Sequence, residues 1–174
     1  MWDLFATVRH RHSVRRFLVE RLIEPEKLHA ILEIACAAPS AGDLQAYHIV
    51  VVHPVHVRAE LARAAYDQGF IAEAPVCLVF CAESARSATT YGERGAHLYA
   101  IQDATIAAAY AQLAIVAAGL GSTWIGHFDE ISVAEVLGLD TAVRPVAMLA
   151  VGYPAELPEP TPRRKMDEIV TFIG

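Results

Sequence analysis

The segment Arg11-His12-Ser13-Val14-Arg15 places two guanidiniums and a hydroxyl at alternate positions. In extended backbone, residues i, i+2 and i+4 share a face. Arg11, Ser13 and Arg15 can then meet one compact anion together. The planar fork of Arg pairs two oxygens at once, which suits a phosphate. The same run also reads as a basic surface turn. A second basic cluster, Arg163, Arg164 and Lys165, stands near the other end. The chain as a whole is acidic, with a formal charge of -6. Generic nucleic-acid binding needs a basic footprint and is not expected. Arg9, Arg11, Arg15 and Arg16 crowd the N-terminal end, and two local Arg clusters on an acidic chain suit a small anion, or else are solvated surface charge.

Other chemistries find less support. Eight histidines are present, but none forms HExxH. Cys77 and Cys81 are four apart, the wrong spacing for a zinc knuckle. No metal site is expected. Ser13 and Ser40 lack the G-x-S-x-G elbow, and Cys36 lies within an apolar helical pattern, so a triad hydrolase is not expected either. There is no Walker A motif. The Gly-x-Gly of residues 119–126 follows a helix where a dinucleotide fingerprint opens one.

The elements that must position these groups fit one domain, residues 1–174, since about 150 residues make a domain. Apolar residues are 55% of the chain and mean hydropathy is +0.34, which excludes disorder. No apolar run reaches about 18 residues without polar interruption. The richest, residues 104–124, reads as a buried helix, and no membrane partner is expected. Cys36, Cys77 and Cys81 lack framework spacing and read as core thiols of a reducing compartment. With no signal-peptide pattern at the N-terminus, a cytoplasmic location is expected. The chain has no Asn, and Arg heavily outnumbers Lys. That fits avoidance of a thermolabile residue or GC-rich coding.

Helical patterns cover residues 2–10, 24–37, 57–66, 97–118 and 133–137. Pro25 opens the second of these, and Pro39 follows its end. Strands are expected at 49–52, 76–81 and 146–151, with a short extended piece at 122–125. Residues 38–48, and the stretch around Gly92 and Gly95, read as loops. After Pro154 come Pro158, Pro160 and Pro162, a stiff extended arm. Residues 168–173 are apolar enough for a final strand. Such an arm is hard to fold back on a small domain, so residues 155–174 are expected on a partner subunit.

Six segments in order resemble the FMN-dependent nitroreductase family: RHSVRRF at 11–17, APSAGDLQAYHIVVV at 38–52, EAPVCLVF at 73–80, residues 91–130, LGLDTAVRPVAMLAVGYP at 137–154 and PRRKMDEIV at 162–170. The resemblance implies an α+β sandwich, a central mainly antiparallel sheet flanked by helices, in an intertwined homodimer with two interfacial FMN sites. By position, Arg11, His12, Ser13 and Arg15 match the segment holding phosphate and ribityl chain. Pro39, Ser40 and Ala41 match the loop that the other subunit brings to the flavin ring, with Asp43 and Gln45 near that ring. Ile125, Gly126 and His127 match the backbone facing its reactive side. The small residues of 119–126 then allow close backbone approach, although Gly121 and Gly126 also read as ordinary turn glycines. Arg163 matches the late phosphate Arg, with Arg164 as a substitute. Two departures stand out: Asp43 replaces the common Asn, and Ala46-Tyr47 replaces a common Pro-Trp. The implied activity is ping-pong hydride transfer from NAD(P)H to flavin N5, then to a small acceptor such as a nitroaromatic or quinone. A non-catalytic FMN carrier or sensor, or a same-fold flavoenzyme with other chemistry, is the alternative.

Overall fold

A computed structural model describes residues 3–174. Four strands form one sheet in the order β1-β2-β4-β3, every neighbouring pair antiparallel. They are β1 (Tyr47–Val52), β2 (Val76–Glu83), β3 (Gly121–Ile125) and β4 (Val143–Gly152). The helices are α1 (Leu4–His10), α2 (Pro25–Cys36), α3 (Val55–Ala64), α4 (Phe70–Glu73), α5 (Ser84–Arg94), α6 (Ala100–Ala117) and α7 (Glu130–Leu137). A π-helical turn, Gly95–Tyr99, joins α5 to α6.

β2 reads VCLVFCAE and is buried along nearly its whole length, because helices cover both faces of the sheet. Cys77, Val79 and Cys81 point into one core layer, with Leu61 of α3, Ile71 of α4 and Val133 of α7. Val76, Leu78 and Phe80 point into the other, with Ile31 of α2 and Ala107, Ala111 and Ile115 of α6. The inward side of α6 is largely alanine, which lets the helix lie close on the strands. The run Ser84–Ala117 is long and apolar enough to cross a membrane by length and composition, yet half of its apolar window is buried inside this fold.

The expected α+β sandwich is present, with three corrections. The stretch around Gly92 and Gly95 is not a loop: residues 84–94 are helical, with a break at Gly92 (φ 55°, ψ -141°). Residues 168–173 are not a strand. A short 3-10 turn, Met166–Glu168, is followed by irregular, exposed chain, since backbone pairing needs a neighbouring edge. The first half of the Pro-rich arm does fold back at home: the Ala155 amide donates to the Arg16 carbonyl at 2.9 Å, and Arg16 pairs with Glu156 at 3.3 Å. Trp2, expected in the first helix, lies outside the described residues.

Candidate functional site

α1 is opened by Asp3, whose side chain accepts from the Ala6 amide at 2.7 Å. It ends at His10, and Arg11 is already extended (φ -71°, ψ 111°). From there the chain runs along the sheet edge. The Val14 amide donates to the Ser122 carbonyl (3.0 Å) and the Leu18 amide to the Tyr153 carbonyl (2.9 Å). Val14 and Phe17 are buried in the core, and burial of Val14 puts its neighbours Ser13 and Arg15 on the opposite face of the extended chain.

Those three side chains, with Arg9, His12 and Arg163, line a cavity of about 380 Å³. Its far wall is the arm, including Pro158, Glu159 and Thr161. Both basic clusters thus reach one cavity. Arg163 is held by its own arm through Nη1, which donates to Thr161 Oγ1 at 2.5 Å. Arg164 is not in the cavity wall; its Nη2 donates to the Glu168 carbonyl at 2.7 Å and its Nε reaches Glu168 Oε2 at 3.2 Å. Arg15 lies over the Phe70 ring, 5.9 Å from its centroid. Arg9, which belongs to the same N-terminal basic cluster of the sequence, reaches this cavity too.

The far end of this segment is pinned by Tyr153, just past β4. Its hydroxyl donates to Glu24 Oε2 (2.6 Å) and accepts from Lys27 Nζ (2.6 Å). The Arg21 guanidinium stacks 3.4 Å above its ring. The hydroxyl's hydrogen bond, foremost, holds the Glu24 carboxyl down at about 2, while Lys27 is raised, chiefly by its own bond to Tyr153.

Ile125 closes β3 and is buried, whereas Gly126 and His127 are exposed. Gln68 Nε2 donates to the His127 carbonyl (3.1 Å) and the Ala65 carbonyl (2.8 Å). The Tyr66 ring lies 4.3 Å from the His127 ring. Tyr66 and Asp67 both have positive φ, 56° and 61°, which is uncommon for bulky residues and costs energy. A Cβ on Gly126 would make only ordinary contact with Trp124. Gly121 is tied to Val14 instead of to any open face, so close approach to a flat ligand is not what makes it a glycine.

Pro39, Ser40, Ala41, Asp43 and Gln45 form a separate, mostly exposed loop. Gly42, Asp43 and Gln45 all have positive φ, 59°, 55° and 50°. Ser40 Oγ accepts from the Gln45 amide at 2.9 Å, and Asp43 Oδ1 accepts from Gln45 Nε2 at 3.0 Å. Beneath it lies Asp103 of α6, which accepts from the Ala41 amide (3.0 Å) and the Ala46 amide (3.2 Å). A lone carboxylate inside an apolar helix was the signal that could have found Asp103.

This loop is not beside the arginine cavity. It meets β2 at Glu83, whose amide donates to Ala46. The cavity segment meets β3 at Ser122, which is opposite Val151, itself opposite Val76. Seven residue steps along β2 separate the two ends, about 23 Å at about 3.3 Å per residue.

A sequence model described as the nitroreductase family matches residues 8–70 and 63–153. The chain is 31% identical to an NADH dehydrogenase of Thermus thermophilus, covering 93% of this chain and 92% of that protein. It is also 31% identical to an FMN reductase (NADPH) of Bacillus subtilis, covering 94% of this chain and 70% of that one. Nitroreductase A of Vibrio parahaemolyticus has the same fold, with a TM-score of 0.90 at 30% identity over 99% of this chain and 76% of the other. Sequence and fold agree over nearly the full length, and the chain belongs to the nitroreductase family.

Proposed function

We propose that this chain is an FMN-dependent oxidoreductase that takes a hydride from NAD(P)H and delivers it to a small acceptor such as a nitroaromatic or quinone. The observation that carries this reading is the arginine cavity. Arg9, Arg11, Arg15 and Arg163 share about 380 Å³ with the Ser13 hydroxyl and only one carboxylate, Glu159. Among the described residues, Arg9 and Arg11 have no ion pair of their own. Unpaired guanidiniums facing one space are the donor set that a phosphate monoester dianion needs. Relatives named for FMN and for NADPH or NADH support the same choice of cofactor and donor.

Arg11, Ser13, Arg15 and Arg163 would hold the phosphate. His12 lines the same cavity and would meet the ribityl chain. Ile125, Gly126 and His127 would offer exposed backbone to the ring. Bound FMN supplies the hydride chemistry, and the chain supplies position and electrostatics. No protein general base is needed.

The ring would also meet Pro39, Ser40, Ala41, Asp43 and Gln45 from a second copy. Their separation from the cavity within one chain supports that assignment. Exposed apolar residues support a homodimer: Leu4, Phe5 and Val8 on α1, and Ile169, Phe172 and Ile173 in the arm, the last 96% exposed. Large exposed apolar patches mark interaction surfaces. Three free cysteines support a cytoplasmic location.

The test is spectroscopic. Purified protein loaded with FMN is mixed under argon with NADH or NADPH. Rapid bleaching of the flavin band, followed by recovery on adding a nitroaromatic or quinone, is the expected result. No bleaching with either donor would instead make the chain a flavin carrier.

A further inference from the structure

Asp103 is 2% exposed, and no Lys, Arg or His is paired with it among the described residues. A buried carboxylate is costly unless its oxygens are satisfied. Here each oxygen accepts one backbone amide, Oδ1 from Ala41 and Oδ2 from Ala46. Hydrogen bonds to an ionised acceptor are the strong kind. The neighbouring core, Ala46, Ala82, Ala100 and Ala104, is small and apolar, so nothing in the packing itself calls for a charge.

What the carboxylate does becomes visible in the residues between those two amides. Gly42, Asp43 and Gln45 are all left-handed, a conformation that Gly and Asp tolerate but that Gln holds only when its surroundings impose it. The Ala41 and Ala46 amides bracket this strained run, and one side chain fixes both. Two other groups hold the run from outside. Arg86 Nε donates to the Leu44 carbonyl at 2.5 Å, and the Tyr91 hydroxyl packs over Gly42 where a Cβ would otherwise stand. The result is that Asp43 and Gln45, linked at 3.0 Å, are presented outward while the loop's base is anchored inward.

We propose that Asp103 is the positioning residue for the flavin-ring end of the site, clamping the loop of residues 41–46 so that Asp43 and Gln45 meet the ring in one fixed arrangement. The proposal rests on the reading that this loop faces flavin bound by a second copy. Asp103 touches no ligand; it acts through the loop.

The experiment compares FMN and riboflavin binding, the flavin midpoint potential and the melting temperature in holoprotein carrying Asp103→Asn, Gln45→Ala, or both. Asp103→Asn keeps one acceptor oxygen but turns an amide donor toward the other backbone N–H. Affinity should fall by roughly tenfold, the scale of one lost charged hydrogen bond. FMN and riboflavin should lose it equally, because the ring end and not the phosphate is disturbed. The potential should shift as well. In the Gln45→Ala background, the added effect of Asp103→Asn should shrink below about threefold, since residues acting as one unit are not additive.

A lowered melting temperature with unchanged flavin affinity and potential makes Asp103 a residue of the core only and overturns the proposal. Full additivity with Gln45→Ala overturns it too. If Gln45→Ala and Asp43→Ala leave the flavin untouched, the reading of the loop itself fails, and the proposal with it. Should Asp103→Asn not fold, Asp103→Glu keeps the charge on a longer arm and must show the same ring-selective loss. If neither variant folds, Asp103 belongs to the core and the proposal is overturned.

Discussion

A Cβ on Gly121 would stand 2.7 Å from Val14 Cγ2 and 3.0 Å from Val14 Cβ. Val14 is buried and β-branched, so it has little freedom to yield. The first residue of β3 must therefore lack a side chain for the Arg11–Arg15 segment to lie against the sheet. Gly121→Ala should cost about 1–3 kcal/mol by overpacking. It should also loosen the cavity, so thermal melting and FMN retention should fall together.

Arg15 and Arg16 are adjacent but have different partners. Arg15 lines the cavity, whereas Arg16 pairs with Glu156. A hydrogen bond to a charged group contributes about 1.5–3 kcal/mol. Arg15→Ala should thus weaken FMN binding roughly 10-fold to 150-fold and leave riboflavin binding near wild type. Arg16→Ala should retain its flavin. Titration of both variants with both flavins checks this, and equal losses for FMN and riboflavin in Arg15→Ala would remove the phosphate assignment.

Asp43 holds a left-handed backbone and spends its carboxylate on the Gln45 side chain instead of on a backbone amide. Asn tolerates the same conformation, so Asp43→Asn changes charge without changing shape. A carboxylate near the ring disfavours an anionic reduced flavin. Its removal should raise the midpoint potential on the order of 30 mV, about tenfold for a two-electron couple. A redox titration reads this directly; an unchanged or lowered value speaks against proximity to the ring.

Two truncations separate the jobs of the C-terminal arm. Ending the chain after Lys165 keeps Arg163 and the cavity wall but removes exposed Ile169, Phe172 and Ile173. It should weaken the proposed dimer first. Ending it after Pro154 also removes Pro158, Thr161 and Arg163, so flavin should be lost outright. Sedimentation and the flavin-to-protein absorbance ratio distinguish these outcomes.

Glu24 is lowered from 4.5 to about 2 by its bond to Tyr153. A carboxyl depressed on folding contributes stability that is fully present above its unfolded value and is lost as pH falls through the folded one. The contribution should be complete above about 4.5 and gone near pH 2. Glu24→Gln should flatten that part of the acid-denaturation profile and lower stability at neutral pH. An unchanged slope between pH 4.5 and 2 would mean that the Tyr153 contact does not persist in solution.

The reach of the sequence depended on how local each signal was. Apolar periodicity found α2, α3 and α6, and β-branched runs found β1, β2 and β4, because each element carries its own burial pattern. α5 escaped: Ser84–Arg94 is polar, and its two nearby glycines read as loop. The closing apolar stretch pairs with no strand among the described residues of its own chain, since composition alone does not supply an edge to pair with. Arg11, Ser13 and Arg15 were legible because alternation in extended chain is local. The two Arg clusters were legible as charge pattern, the assignment of Arg163 to the phosphate needed the resemblance to a family, and the role of Asp103 needed the fold, being set by its contact with Ala41, 62 residues away.

The placement of the 39–45 loop and the arginine cavity at opposite ends of the sheet gives genetics an unusual handle. If each site borrows its two halves from different chains, a homodimer of Arg15→Ala has two defective sites, and so has a homodimer of Gln45→Ala. Mixing the two variants distributes the damage unevenly: one site collects both lesions and the other receives neither. Two defective proteins, dissociated and allowed to re-pair, would then yield a heterodimer with one fully native flavin site.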